Sequence, residues 1–142
     1  MNIVFFGTPD YAVTILEELV ATGIIPTLVV TQPDRPVGRK HELTPPPVKV
    51  WAQTKGIEVL QPENLKTGPE VDLLLNSEWD LFVVASYGLL FPETILSHPT
   101  HGTLVWHPSL LPKYRGASPY RSQILADDPQ CGITIMLMEK GM

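Results

Sequence analysis

Residues 2–23 read NIVFFGTPDYAVTILEELVATG, and this stretch decides the fold. Asn2 to Phe6 is a short apolar run that ends at Gly7-Thr8-Pro9-Asp10; Ala12, Ile15, Leu16 and Leu19 then recur at helical spacing until Gly23. The pattern predicts a strand, a turn and a helix. Downstream the same alternation repeats. PTLVVT (26–31) is continuous and β-branched, as a buried parallel strand should be, and a proline-rich segment follows from Gln32 to Pro47. Further strands are expected at Ile57–Leu60, Asp80–Ser86 (DLFVVAS), Gly102–His107 and Gly132–Met138. Helices are expected at Val48–Lys55, Val71–Leu75, from Thr94 to Leu96, and at Pro119–Ala126. Strands alternating with helices give right-handed crossovers and an open, mostly parallel α/β sheet with helices on both faces. Such sheets bind ligands beyond the carboxyl ends of their strands, so function belongs in the loops after Phe6, Thr31, Ser86 and His107.

The composition bounds what those loops can do. With 142 residues the chain suffices for one domain that buries on the order of 70% of its unfolded surface. A hydrophobic share of 44% and a charged share of 18% describe a globular chain. No apolar run approaches the ~20 residues of a membrane span, and Met1 leads straight into a strand with no basic leader, so a cytoplasmic protein with no membrane partner is expected. Cys131 is the single cysteine, and no Cys/His spacing resembles a metal site. Ten Lys and Arg against 15 Asp and Glu give a net charge of -5, without the basic footprint of a dedicated nucleic-acid binder, though a local patch fits.

Gly7-Thr8-Pro9-Asp10 stands where a dinucleotide fingerprint would, yet lacks G-x-G-x-x-G, which argues against a nicotinamide or flavin. Thr8 or Asp10 there reads first as a helix cap. Tyr11 reads equally as pocket lining or core. The long segment QPDRPVGRKHELTPPP (32–47) has no periodicity; Arg35, Arg39, Lys40 and His41 in it are either phosphate contacts or a solvated charged loop. SYGLLFP (86–92) places Tyr87, Leu89, Leu90 and Phe91 around a glycine, either as the wall of a pocket for a flat heterocycle or as cover for the sheet edge. His107 ends a buried strand, where an imidazole can be held rigidly and still face the ligand crevice, so it reads either as a catalytic candidate or as a structural histidine. Val105 shares its face and Trp106 points the other way. The loop Ser109 to Pro112 follows, and Lys113, Arg115 and Arg121 make an anion-friendly rim. His41, His98 and His101 read as solvated.

Taken together, GTPDYA, TQPDRPVGR, LTPPPVK, LQPENLK, ASYGLLFP, HPSLLPKYRGASP and GITIMLMEKGM closely resemble, in order, the amino-terminal catalytic domain of the methionyl-tRNA formyltransferases. HPSLLP with RGA also marks the wider 10-formyltetrahydrofolate-dependent formyltransferases, which include glycinamide ribonucleotide and sugar-nucleotide enzymes. The resemblance implies a Rossmann-like formyltransferase fold, 10-formyltetrahydrofolate as formyl-donating cosubstrate, no metal, and initiator methionyl-tRNA as partner. By matching motifs, His107 takes the catalytic position. Ser86, Tyr87, Gly88, Leu89, Leu90, Phe91 and Pro92 form the apolar loop around the pteridine. Ser109, Leu110, Leu111 and Pro112 form the loop beside the catalytic strand. Tyr11 is the aromatic near the aminoacyl group, and Arg39, with Lys40 beside it, meets the tRNA acceptor end.

Three departures accompany the match. Val105 occupies the family's catalytic Asn position and neither donates nor accepts a hydrogen bond. Trp106 replaces a smaller aliphatic, and added bulk in a packed layer commonly costs ~1–3 kcal/mol. Finally, the pattern EKGMD would supply the catalytic Asp next after Met142, where the sequence stops. The resemblance therefore implies that residues 1–142 are a partial catalytic domain, without the carboxyl-terminal tRNA-binding domain and with impaired catalysis. Its alternatives are a non-catalytic folate binder, a scaffold, or a formyltransferase for a sugar nucleotide or glycinamide ribonucleotide. Nothing in the sequence sets the oligomeric state.

Overall fold

The computed structural model describes residues 1–139. Strands β1 (Ile3–Gly7) and β2 (Leu28–Val30) are buried at every position, as continuous apolar runs require of strands covered on both faces. Helix α1 (Asp10–Ala21) links them. A two-stranded hairpin, β3 (Arg35–Val37) and β4 (Glu42–Thr44), comes next, then α2 (Pro47–Thr54), β5 (Glu58–Leu60) and α3 (Pro69–Asn76). The chain continues through β6 (Leu81–Ala85), α4 (Glu93–Leu96), β7 (Thr103–His107), α5 (Pro119–Leu125) and β8 (Thr134–Leu137).

Six strands form one sheet in the order β5-β2-β1-β6-β7-β8. All neighbours run parallel except β8, which pairs antiparallel with β7. Side-chain alternation divides the core in two. Val4, Phe6, Val30, Phe82 and Val84 pack on one face against Val71 and Leu74 of α3 and Ile95 of α4. Phe5, Val29 and Ala85 pack on the other against Ala12 and Leu16 of α1 and Val48, Trp51 and Ala52 of α2. Helices on both faces of an open, mostly parallel sheet are what the sequence predicts.

From β1 the chain winds out through β2 to β5, then restarts on the opposite side with β6, so winding reverses between β1 and β6. A crevice opens at such a point. Gly7 permits the close approach there. A Cβ on it would stand 2.6 Å from the Phe5 ring and 3.0 Å from both the Ala12 Cβ and the Ala85 carbonyl oxygen.

Four local expectations are corrected. The 32–47 segment is a hairpin rather than an irregular loop: its exposed three-residue strands are too short to show a period, and the turn is made by Gly38 (φ 73°) and His41 (φ 50°). Neither Thr8 nor Asp10 caps α1. Pro9 holds the N-cap position, Thr8 Oγ1 donates to the Tyr87 carbonyl at 3.0 Å, and Asp10 Oδ1 accepts the Tyr11 N–H at 2.8 Å. His98 is half-buried, not solvated, with Nε2 at 2.8 Å from the Ser77 carbonyl oxygen. Lys113 is not a free rim cation, because its ammonium pairs with Asp128 at 3.0 Å.

Candidate active site

The cavity above the switch point has a volume of about 590 Å³, inside the range typical of small-molecule sites. Its walls come from both faces of the sheet. Val84, Tyr87, Leu89, Phe91 and Val105 line one side, and all belong to or pack against the β6–α4 half of the core. Tyr11, Trp106 and Tyr120 line the other. Tyr11 and Tyr120 meet edge to face at 5.6 Å, and Trp106 lies 6.3 Å from Tyr11 and 6.4 Å from Tyr120. The bulk of Trp106 therefore fills a cavity wall instead of crowding a closed layer.

His107 lines the same cavity, at the end of β7. Its Nε2 lies 3.1 Å from the Tyr114 carbonyl oxygen. A carbonyl only accepts, so Nε2 carries hydrogen and, in the neutral ring, Nδ1 keeps the lone pair. The arrangement offers one proton-accepting nitrogen on a ring held by a fixed backbone partner.

Tyr114 is itself anchored. Its hydroxyl donates to Asp128 at 2.8 Å, and Asp128 also binds Lys113 and accepts the Gln130 N–H at 3.0 Å. These donors, led by the Gln130 N–H, pull the Asp128 carboxyl down to about 2, and the same carboxylate raises Lys113 and Tyr114. Nothing in the sequence flags Asp128, since it meets Tyr114 only when the 108–118 loop folds back. Tyr120 also escapes the motif reading, although Pro119 ahead of it marks a helix start.

The matched residues separate into two groups. Tyr11, Ser86, Tyr87, Gly88, Leu89, Phe91, Val105 and His107 line the cavity; Leu90, Pro92, Ser109, Leu110, Leu111 and Pro112 do not, nor do Arg39 and Lys40. Leu90 is 90% exposed. Pro92 is the N-cap residue of α4. Ser109 is buried beneath the site, with Oγ donating to the Lys113 carbonyl at 2.7 Å, and Thr134 of β8 clamps its loop by donating to the Ser109 carbonyl at 2.7 Å and accepting the Leu111 N–H at 3.2 Å. Arg39 and Lys40 are exposed at the hairpin turn. Of the expected rim cations, Arg121 lines the cavity and Arg115 does not. The tail EKGM, where the catalytic Asp is expected to follow, falls largely outside the described residues.

The hairpin's base is tied to the site. Asp34 accepts Lys49 Nζ at 2.7 Å on both oxygens and Gln61 Nε2 at 2.7 Å, which holds its carboxyl below the usual range through the Gln61 hydrogen bond first and Lys49 second. Gln32 Nε2 reaches the Tyr87 carbonyl at 3.2 Å. Among the described residues no cluster of three or more His, Cys, Asp or Glu could hold a metal, and no helix is long and apolar enough to cross a membrane.

A histidine at a strand end, an apolar wall and a switch-point crevice define an open α/β small-molecule site. The formyl transferase family model matches residues 1–142, and the chain belongs to that family. It is 50% identical over 138 residues to a methionyl-tRNA formyltransferase from Halalkalibacterium halodurans, covering 97% of this chain and 44% of that protein. A methionyl-tRNA formyltransferase from Dehalococcoides mccartyi is 46% identical over 142 residues, all of this chain and 46% of its own length. The chain thus spans under half the length of these curated relatives. Among solved structures, phosphoribosylglycinamide formyltransferase from Bacillus halodurans superposes with a TM-score of 0.75 at 24% identity, over 100% of this chain and 74% of that one. A sugar N-formyltransferase from Shewanella sp. gives 0.65 at 19%, over 100% and 52%. At such identities the likeness establishes a shared fold.

Proposed function

We propose that this chain acts in the cytoplasm in formyl transfer from 10-formyltetrahydrofolate to the α-amine of initiator methionyl-tRNA, contributing the donor site and the catalytic histidine. The observation that carries this reading is His107 in one cavity with the apolar loop of Tyr87, Leu89 and Phe91. That loop suits a flat heterocycle, since the wall is apolar while Ser86 and the backbone at its rim supply polar groups. Bound there, the folate supplies an electrophilic formyl carbon. His107 accepts the proton that the attacking amine sheds and returns it to the folate nitrogen as the bond from that nitrogen to the formyl carbon breaks, the acid–base task for which histidine is most often used. Tyr11 and Trp106 on the opposite wall border the aminoacyl group. Arg39 and Lys40, outside the cavity, meet the tRNA backbone, where cations bind phosphate. Relatives at 46–50% identity named methionyl-tRNA formyltransferases favour this acceptor over a ribonucleotide or a sugar nucleotide.

The experiment offers the protein 10-formyltetrahydrofolate with each acceptor in turn and measures the formylated product. Formyl-methionyl-tRNA that disappears in His107→Ala is the expected result. Formylation of glycinamide ribonucleotide or a sugar nucleotide, with none of methionyl-tRNA, rejects the acceptor assignment.

A further inference from the structure

Val105 leaves the cavity without a side-chain donor at the place where the family resemblance puts an amide. In the same cavity stands a pair of hydroxyls, one from the first turn of α1 and one from the residue after β6. The Tyr11 hydroxyl and Ser86 Oγ hydrogen-bond to each other, and both residues line the cavity with His107. Two hydroxyls in mutual contact hold two hydrogens and use only one, whichever group donates. The second hydrogen is bonded to no other described side chain or backbone group. A hydroxyl that accepts one hydrogen bond becomes a better donor of another.

The pair is placed at the chemistry by strand register. Val84 and Val105 are the last residues paired between β6 and β7. Two places further on stand His107, the last residue of β7, and Ser86, one residue past the end of β6. Ser86 has left the strand with φ 55°, at the lip of the crevice. Tyr11 is held against it by the rings of Trp106 and Tyr120. The other candidate donors are less suited. The Tyr87 hydroxyl is buried among Phe6 and Phe91 on the apolar wall, and Ser118 and Arg121 belong to the α5 side.

We propose that the Tyr11–Ser86 hydroxyl pair is a catalytic hydrogen-bond donor of this site, directed at the formyl oxygen in place of the amide that Val105 lacks. As the amine nitrogen bonds to the formyl carbon, the carbonyl's π electrons move onto oxygen, and a donor already aimed at that oxygen stabilises the growing charge. This rests on the reading of the cavity as a formyl-donor site.

The test compares 10-formylfolate with folate, two stable ligands that differ by the formyl group, by calorimetry on the whole protein and on Tyr11→Phe, Ser86→Ala and the double variant. One neutral hydrogen bond corresponds to a roughly three- to tenfold preference for 10-formylfolate in the parent protein. The double variant is expected to bind both ligands equally, and the isotope-labelled formyl C=O stretch should rise in wavenumber. Tyr11→Phe keeps the ring that packs on Trp106, so it separates the hydroxyl from its support. Should the double variant not fold, partial loss of the preference in both single variants supports the proposal, and full retention in both rejects it. A folded double variant that keeps the preference and the stretch overturns the proposal while leaving the donor site standing, as does a parent protein that binds both ligands equally. A parent protein that binds neither overturns both.

Discussion

Tyr87 shows how one side chain can be chosen for the wall it makes at a cost to the free protein. It is 2% exposed and packs edge-on against Phe6 at 5.4 Å and Phe91 at 5.8 Å, yet its hydroxyl has no hydrogen-bond partner among the described residues. Burial pushes its phenol well up, so the group stays neutral at every working pH. Leaving a buried hydroxyl unsatisfied costs roughly 1–3 kcal/mol. Tyr87→Phe is therefore expected to raise the melting temperature of the free protein, by about 1 kcal/mol of added stability; a fall would mean that the hydroxyl is satisfied in solution. At position 105 the prediction concerns rate. Val105→Asn adds a donor beside His107, and since one such donor can be worth 10²–10³-fold, transfer should rise at least about tenfold; an unchanged rate would place residue 105 away from the reacting oxygen. The place of His107 at a strand end made it a candidate, and the structure puts it in the wall of the cavity. Tyr120 and Asp128 were not legible, because each acquires its partner only through tertiary closure of the 108–118 loop.

Elements were legible where apolar runs were continuous and opaque where they were short. β1, β2 and β6 announce themselves, whereas β3 and β4 are wholly exposed and leave no apolar period to read. The antiparallel direction of β8 was equally hidden, since an edge strand's direction depends on how the preceding connection folds. Two side-chain knots hold the irregular elements, and each yields a prediction. Asp34→Ala removes the acceptor for Lys49 and Gln61 at the hairpin's base, so limited proteolysis should cleave 35–44 faster than in the parent; equal cleavage would show that backbone pairing alone suffices. Asp128 supports the loop that carries the partner of His107. Its folded pKa of about 2 lies below the ordinary 3.8, so its contribution to stability is complete above that ordinary value and is lost as pH falls from there through about 2. Asp128→Asn should flatten the pH dependence of the melting temperature between pH 4 and 2, with the two proteins converging at the acid end. Parallel curves would show that the carboxylate does not hold the loop.

At the scale of the molecule, one cluster of exposed apolar side chains lies at the β8 and α5 edge. Ile124, Leu125, Ile133, Ile135 and Leu137 are each more than half exposed, and a shallow apolar groove runs between α5 and the segment before β8. Among the described residues β8 is an edge strand, and an edge of this kind favours association. Ile135→Lys should lower light scattering at high protein concentration with little change in melting temperature; undiminished scattering would locate the association elsewhere. The crevice between β1 and β6 follows from the winding order alone. Its chemistry came from particular residues, which is why motif and topology reach the same cavity by independent routes.

The most searching observation is a crystal structure of the protein with 10-formylfolate bound. A donor site at the switch point predicts the fused ring against Leu89 and Phe91 and the formyl carbon in the gap between Ser86 and His107. Density for the ligand elsewhere on the molecule, or with the formyl group on the side of the ring remote from His107, would refute it.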